Sequence, residues 1–164
     1  MRKGNDKKVD RGGRKAEPAA TPVDFGPLAT WVGFNLRMAQ EASFEAFSHH
    51  SAAIGENPGR FATLMLIARN PGIRQTELSA ASGRDKSSLT PVVEDLVRRG
   101  LVERKRLDSD RRAFSLNLTA AGRKTLALMT RAARKHERNL DRIIGLRDKK
   151  RFVDILKRIA AEIG

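Results

Sequence analysis

The sequence predicts a mainly α-helical protein with a small β-hairpin. Apolar residues recur every three or four positions through most of the chain beyond residue 26, which is the period of a helix. After Gly100 the period changes to two, which is the period of a strand. The chain has 164 residues and no cysteine, so we expect one domain of ordinary size, stabilised by aliphatic packing and not by disulfides.

The first 25 residues differ in composition from the rest of the chain. Residues 1–20 contain seven Lys or Arg and three acidic residues, and their only bulky apolar residues are Met1 and Val9. Ordering this segment would bury too little apolar surface to offset the loss of conformational entropy. We therefore expect residues 1–25 to be a disordered basic tail, which either adds affinity for phosphates or is a solvated terminus.

Residues 26–56 predict a long helix, from about residue 26 to 48, followed by a break. Its broad apolar face contains Leu28, Trp31, Phe34 and Met38. A second helix should begin with Asn57 as the N-cap and Pro58 in the first turn, and end at residues 70–72. Its apolar stripe comprises Phe61, Leu64, Met65 and Ala68.

Residues 73–100 have the spacing of two short helices joined by a tight turn at Gly83. Leu78 and Ala81 should be buried on the first helix, and Asp85 should cap the second. The inward side of the second helix is expected to contain Leu89, Val92 or Val93, and Leu96. Its other face carries small hydroxylated residues and a lysine, which suit insertion into a DNA major groove but also an ordinary exposed helix start. Pro91 removes a backbone hydrogen bond from this helix, at a cost of roughly 3 kcal/mol that something should compensate.

Residues 101–106 and 113–118 predict two strands, with residues 107–112 as the charged turn between them. Phe114, Leu116 and Leu118 should lie on one face. Helix, turn, helix and charged hairpin, in this order, are typical of a winged helix-turn-helix, so we expect residues 57–120 to form a DNA-binding domain. The formal net charge of +14 also favours a polyanionic partner.

The stretch from Asn70 to Gly122 carries a family resemblance. Its motifs are "RGLVER", Asp-x-Arg in the hairpin and "LxLTxxG", and the likeness extends over about residues 28–163. This stretch resembles the DNA-binding core of the MarR (multiple antibiotic resistance regulator) transcription factors. The resemblance implies a homodimer that reads a pseudo-palindromic operator in double-stranded DNA, usually as a repressor that a small ligand releases. It also implies a recognition helix at residues 85–99 and a wing at residues 102–118.

The resemblance and the surface pattern together predict the DNA-contacting residues. Asp110 is expected to hold the wing arginines together with Asp108, and Arg112 to enter the minor groove. Arg74 replaces the Thr or Ser of many relatives, so the helix that follows must rely on Glu77 or on a shifted cap at Thr76. The full set is Arg74, Gln75, Thr76, Arg84, Lys86, Ser87, Ser88, Thr90, Pro91, Arg106, Asp110, Arg111 and Arg112.

Residues 121–164 predict two further helices, expected to mediate dimerisation. Thr119 should cap the first, whose apolar stripe runs from Leu126 to Ile143 or Ile144. The second should begin at an Asp148 cap and present Phe152 and Leu156 on its apolar face. One small domain has too little core to cover these faces together with the helix of residues 26–48, so burial between two subunits is expected.

The resemblance further implies an effector cleft between the dimerisation helices and the winged module. An aromatic carboxylate, a phenol or a coenzyme A thioester would suit its aromatic character, although packing in the core or the dimer interface is an alternative role for each residue. The expected lining is Trp31, Asn35, Arg37, Met38, Phe44, His49, Phe61 and Met65.

Other classes of function are disfavoured. The three histidines, at positions 49, 50 and 136, form no metal-binding or catalytic motif, and no phosphate-binding or dinucleotide-binding loop occurs. We therefore expect no catalysis, no metal and no cofactor. No membrane-spanning segment or signal peptide is present in the sequence, so we expect a cytoplasmic protein. A non-specific architectural DNA-binding protein is the alternative to a regulator.

Overall fold

A computed structural model describes residues 23–107 and 110–163, without the side chains of residues 53, 107 and 110–113. The fold is mainly α-helical with one small sheet, as the sequence predicted. Short 3₁₀ turns occur at Gly26–Thr30 and Ala52–Ile54. The remaining elements in chain order are α1 (Val32–Ser51), α2 (Pro58–Arg69), β1 (Ile73–Arg74), α3 (Gln75–Ser82), α4 (Lys86–Arg98), β2 (Val102–Leu107), β3 (Asp110–Leu118), α5 (Ala120–Ile144) and α6 (Leu146–Glu162).

The first long helix begins and ends later than predicted. Instead of one helix from residue 26 to 48, a 3₁₀ turn ends at Thr30, Trp31 has an extended backbone, and α1 then runs to Ser51. The side-chain amide of Asn35 donates to the carbonyls of Trp31 (2.8 Å) and Ala29 (3.2 Å). The bond to Ala29 satisfies a turn carbonyl that a continuous helix would have satisfied with a backbone amide, whereas the Trp31 carbonyl also accepts from the Asn35 backbone amide at 3.1 Å.

Three predicted N-caps are confirmed. The side chains of Asn57, Asp85 and Thr119 accept hydrogen bonds from backbone amides three residues further on, at 2.8–3.0 Å. The prediction of an Asp148 cap was wrong. The break between α5 and α6 lies at Gly145, whose φ of 83° ends α5 and leaves Asp148 in the first turn of α6.

The sheet has one more strand than predicted. Its order is β1-β3-β2, and the two-residue β1 pairs Ile73 with Leu116 of β3. The turn of the hairpin is also shorter than the predicted residues 107–112, because Leu107 already pairs with Asp110. A register shift between Arg106 and Leu107 accommodates the extra residues of β3. Residues 108 and 109 at the tip, with the predicted brace Asp108, lie outside the described residues.

The core lies between α1, α2, the helix pair α3–α4, the sheet and the first half of α5. Leu116 is fully buried and Leu118 nearly so, as predicted, whereas Phe114 is only partly covered. Val93 and not Val92 is the fully buried valine of α4, and the prediction that Ala81 is buried was wrong because it lies at the exposed end of α3. Among the described residues, the other large side chains that are fully buried are Leu64, Ile67, Leu78, Leu89, Leu96, Val102 and Met129.

Large apolar side chains are exposed near the start of α1 and near the junction of α5 with α6. Trp31 is 59% exposed, Ile143 72% and Leu146 81%. Among the described residues, no helix has the length and apolar character that crossing a membrane would require.

Candidate DNA-binding surface and effector cleft

The start of α4 presents short polar side chains to solvent. Lys86, Ser87 and Ser88 are all exposed. Asp85 caps the helix by accepting from the amide of Ser88 (2.8 Å) and from the hydroxyl of Ser87. The Ser87 hydroxyl bond, followed by the bonds to Ser88, holds the pKa of Asp85 well below its usual range. The cap is therefore ionised near neutral pH, and the serines beside it are short enough for close approach to base edges.

Pro91 lies within α4 without interrupting it. The helix continues to Arg98, and the proline is exposed. The hydroxyl of Thr90 donates to the carbonyl of Lys86 at 2.7 Å, and the Asp85 cap satisfies the preceding turn. These side-chain bonds stabilise the helix start, but neither reaches the Ser87 carbonyl, which an amide at position 91 would have bonded, so the compensation for Pro91 stays a prediction.

A chain of polar contacts connects α3, α4 and the wing. The Gln75 amide donates to Thr90 Oγ1 at 2.9 Å, and Gln75 Oε1 accepts from Arg104 Nη2 at 2.6 Å. Gln75 and Thr90 therefore orient each other and one arginine of β2. Arg104 was missed by the sequence reasoning, although its alternation with Arg106 along β2 could have indicated that both lie on one face.

The arginines of β2 lie over an aromatic ring at the base of the wing. The guanidinium carbon of Arg104 is 4.6 Å from the centroid of Phe114, and that of Arg106 is 5.8 Å from it. Both arginines are exposed. Stacking on the ring holds the charge of both arginines at the surface beside α4. Within the described part of the chain, neither arginine has a carboxylate partner. The side chains of Asp110, Arg111 and Arg112 lie outside the described residues.

The helix start at Arg74 uses one of the two arrangements anticipated from the sequence. Glu77 Oε2 accepts from the Arg74 amide at 2.9 Å, so the carboxylate closes half of a capping box without a shift to Thr76. A guanidinium has no acceptor, so the Arg74 side chain supplies no cap and remains exposed. Thr76 is exposed as well. Both side chains are accessible to a ligand on this surface.

Buried ion pairs hold the other end of α4. The Glu56 carboxylate is fully buried and pairs with both terminal nitrogens of Arg99, one of them at 3.2 Å. Asp95 pairs with Arg60 Nη2 (2.8 Å), Arg99 Nη1 (3.4 Å) and Arg98. Burial alone would raise the pKa of Asp95, but Arg60 and the other two arginines together lower it. The network fixes α4 to the start of α2.

A cleft of about 520 Å³ opens between α1, α2, α5 and the α3–α4 turn. Phe44, Phe47 and Phe61 give it an aromatic wall, and the Phe47 and Phe61 ring centroids are 5.6 Å apart. Ser43 Oγ lies 3.0 Å from His136 Nε2, which places a hydroxyl–imidazole pair at the same wall. An aromatic ligand with a polar substituent would find both apolar contact and hydrogen-bond partners there.

Of the eight residues predicted to bind an effector, the structure brings only Phe44 and Phe61 together in this cleft. Arg37 lies instead over the Phe34 ring, at 5.8 Å, and His49 lies 3.8 Å from Glu45 on the exposed side of α1. Trp31 is exposed just before α1, Asn35 and Met38 are exposed in the first half of α1, and Met65 packs against the core. Ser43, Phe47 and His136 were not predicted to line a cleft, and Arg84 was predicted to contact DNA instead. Ser43 and His136, for example, are 93 positions apart and meet only in the folded chain.

Arg84 is placed differently from the other predicted DNA-contacting residues. It is half-buried and lines the cleft.

Among the described residues, no group of three or more His, Asp or Glu side chains could hold a metal ion.

Comparison with known proteins places this geometry in a family. The sequence profile of the MarR family matches residues 57–114. A putative transcriptional regulatory protein for the hcr operon of Thauera aromatica is 30% identical over 148 residues, which cover 90% of this chain and 89% of that protein. The chain belongs to the MarR family. It is therefore a DNA-binding transcriptional regulator and not an enzyme.

Solved structures of this MarR-family fold include DNA-bound and ligand-bound forms. The repressor CouR bound to a 23-mer DNA duplex has a TM-score of 0.79 and 34% identity, with 85% of this chain and 99% of that chain covered. CouR bound to p-coumaroyl-CoA has a TM-score of 0.78 and 32% identity, with 86% and 99% covered. PcaV from Streptomyces coelicolor, at 24% identity and a TM-score of 0.76 over 88% of this chain and 99% of that one, supports the winged-helix fold alone.

Proposed function

We propose that this MarR-family protein is a homodimeric repressor of a pseudo-palindromic operator. An aromatic carboxylate, a phenol or a coenzyme A thioester of an aromatic acid would release it. The observation that carries this proposal is the aromatic cleft beside the α3–α4 turn, because an effector bound there would lie next to the recognition helix. The similarity to a repressor with a DNA complex and an acyl-CoA complex supports the same reading.

Dimer formation is supported by the apolar side chains exposed at both ends of the chain. Trp31, Ile143 and Leu146 lie where one subunit offers no cover, and a partner would bury them. A two-fold axis between such surfaces would set two recognition helices about one turn of DNA apart, which is the spacing that a pseudo-palindrome requires.

For DNA contacts, we propose the exposed start of α4, with Lys86, Ser87 and Ser88 in the major groove. Gln75 and Thr90 would support these residues, since they already contact each other. Arg74, Thr76, Pro91 and Arg106 are exposed around this surface, and the wing residues Asp110, Arg111 and Arg112 would flank it on the minor-groove side.

The decisive experiment compares operator DNA with scrambled DNA in gel-shift titrations at two salt concentrations. A regulator should bind the protein's own promoter region on the order of 10³-fold more tightly than scrambled DNA. The salt dependence of the affinity should differ less between the two DNAs than the affinity itself does. Equal affinities would instead favour a non-specific architectural protein, which the net charge of +14 would also serve. Aromatic acids and their coenzyme A thioesters added to the specific complex then test the effector class, because only an effector should release the DNA.

A further inference from the structure

Arg84 occupies the single position between the C-cap of α3 and the N-cap of α4, in the turn of the helix-turn-helix. It follows Gly83, whose φ of 64° turns the chain after α3, and it precedes Asp85, which caps α4. The next three residues are exposed, whereas Arg84 is half-buried. Its guanidinium lies against Gly59 at the start of α2 and lines the aromatic cleft. The side chain therefore points to the effector side of the module.

Gly59 provides the space that the guanidinium occupies. A Cβ added to Gly59 would overlap Nη2 of Arg84 and would lie 3.2 Å from its Cζ. Gly59 is in the first turn of α2, where alanine would be the better helix former. The missing side chain thus costs helix propensity, and in return it lets an arginine lie flat against the helix at the mouth of the cleft.

The charge of Arg84 is not neutralised by the described part of the chain. Arg60 and Arg99, which flank the same end of α2, both pair with Glu56 and Asp95, but no described carboxylate forms an ion pair with Arg84. A half-buried guanidinium beside an aromatic cleft can donate two parallel hydrogen bonds to a carboxylate or a phosphate. Such a ligand would gain charge-assisted bonds there without displacing an existing partner.

We propose that Arg84 binds the anionic oxygens of the effector and links them to the recognition helix. This inference rests on the proposed effector cleft. The Arg84 backbone is held by Ser79 on both sides, since its amide donates to the Ser79 carbonyl (3.3 Å) and its carbonyl accepts from the Ser79 hydroxyl (2.6 Å). An anion that draws the Arg84 guanidinium into the cleft would pull on the backbone of Arg84, and Arg84 is covalently bonded to Asp85, the N-cap of α4. Effector and operator then weaken each other's binding by the same factor.

The test measures effector affinity by calorimetry on the dimer without DNA. The probes are p-coumarate, p-coumaroyl-CoA and coenzyme A. The variants are Arg84→Met, which removes the charge, Arg84→Lys, which keeps the charge but loses the fork, and Arg69→Met as the matched control, an exposed arginine in the last turn of α2 that does not line the cleft. We expect Arg84→Met to weaken binding at least tenfold and Arg84→Lys to weaken it less. Arg69→Met should leave effector affinity within about twofold of the unchanged protein.

The three probes distinguish the source of the anion. If Arg84 holds a carboxylate, the loss of affinity in Arg84→Met appears with p-coumarate. It is absent with p-coumaroyl-CoA, in which a thioester replaces the carboxylate. If Arg84 holds a phosphate, the loss appears with p-coumaroyl-CoA and coenzyme A and is absent with p-coumarate.

A second variant separates the guanidinium from general damage to the cleft. Gly59→Ala should weaken probe binding when Arg84 is present and have a smaller effect in the Arg84→Met background, because the two residues contact each other. Saturating effector should also raise the operator Kd by a smaller factor in Arg84→Met than in the unchanged protein.

Two results would overturn the proposal in different ways. Equal affinity of the unchanged protein and Arg84→Met for every bound probe would reject the role of Arg84 and leave the effector class intact. An unchanged protein that binds none of the three probes would reject the proposed effector class and the role of Arg84 together.

Discussion

Gly122 is a residue at which only a hydrogen atom fits. It lies in the first turn of α5, and an added Cβ would overlap the carbonyl oxygen of Leu101 and approach the carbonyl carbon to 2.9 Å. That carbonyl also accepts from the Thr119 amide at 3.1 Å, so the residue that precedes β2 and the start of α5 are joined through backbone atoms. Backbone cannot move aside as a flexible side chain can, and the close approach therefore fixes the wing relative to the long helix.

We expect Gly122→Ala to lower the free energy of unfolding by about 3 kcal/mol, because overpacking against backbone forces α5 away from the sheet. Gly33→Ala is the matched control, since Gly33 is also helical and its added Cβ meets nothing within 4 Å. That control should leave stability unchanged or raise it by up to about 1 kcal/mol. Urea denaturation of the three proteins measures both effects. Equal stability of Gly122→Ala and the control would show that the two segments are not in contact in solution.

Arg112 is the residue whose proposed role depends most on the family resemblance. Removing an arginine from the minor groove should weaken operator binding about tenfold, with little change in melting temperature. Arg151→Ala removes the same charge from the exposed side of α6 and should change operator affinity far less. Fluorescence anisotropy with labelled operator measures both variants. The same loss in both would mean that net charge, and not a wing contact, determines affinity.

At the scale of the element, α4 is held at both ends by different means. Its start is capped by Asp85, a contact over three residues, and its end is held by the Glu56–Arg99 pair, whose members are 43 residues apart. Asn57, Asp85 and Thr119 were predictable as caps because each contacts an amide three residues away. The Glu56 pair, the two-residue β1 and the Ser43–His136 contact were not predictable, because the partners come together only through tertiary packing.

Removing one member of the Glu56–Arg99 pair should lower the free energy of unfolding strongly, whereas replacing both members with apolar residues should lower it much less. Arg99→Met leaves the Glu56 carboxylate buried with only the longer contact to Arg60 at 3.8 Å, so we expect a loss of roughly 2–4 kcal/mol. Glu56→Met combined with Arg99→Met removes both charges and should recover much of that loss. Arg98→Met is the control, because its partner Asp95 retains Arg60 and its own side chain is 73% exposed. A double variant less stable than Arg99→Met would contradict this account.

At the scale of the whole molecule, one subunit leaves apolar side chains exposed at the start of α1 and at the junction of α5 with α6. The fold class and the order of elements followed from hydrophobic periodicity, but the extent of this surface did not, because periodicity cannot distinguish an apolar face covered by the same chain from one that needs a partner. Leu156 shows the difference. It belongs to the predicted interface stripe, yet it is half-buried within the single subunit, so a charge there would also disturb the packing of α6.

Ile143 gives a cleaner test of dimerisation, because its side chain is 72% exposed within the subunit. We expect Ile143→Glu to leave the helical circular dichroism of the subunit intact and to raise the dimer dissociation constant at least tenfold, since a charge would have to be buried between two apolar surfaces. Ile143→Leu, which keeps the apolar character, is the matched control and should remain dimeric. Sedimentation velocity distinguishes a species of 18.2 kDa from one of twice that mass. Because two linked reading heads gain affinity from binding together, the monomeric variant should also bind one operator half-site almost as well as the whole operator. A dimer of unchanged affinity in Ile143→Glu would place the interface on another face.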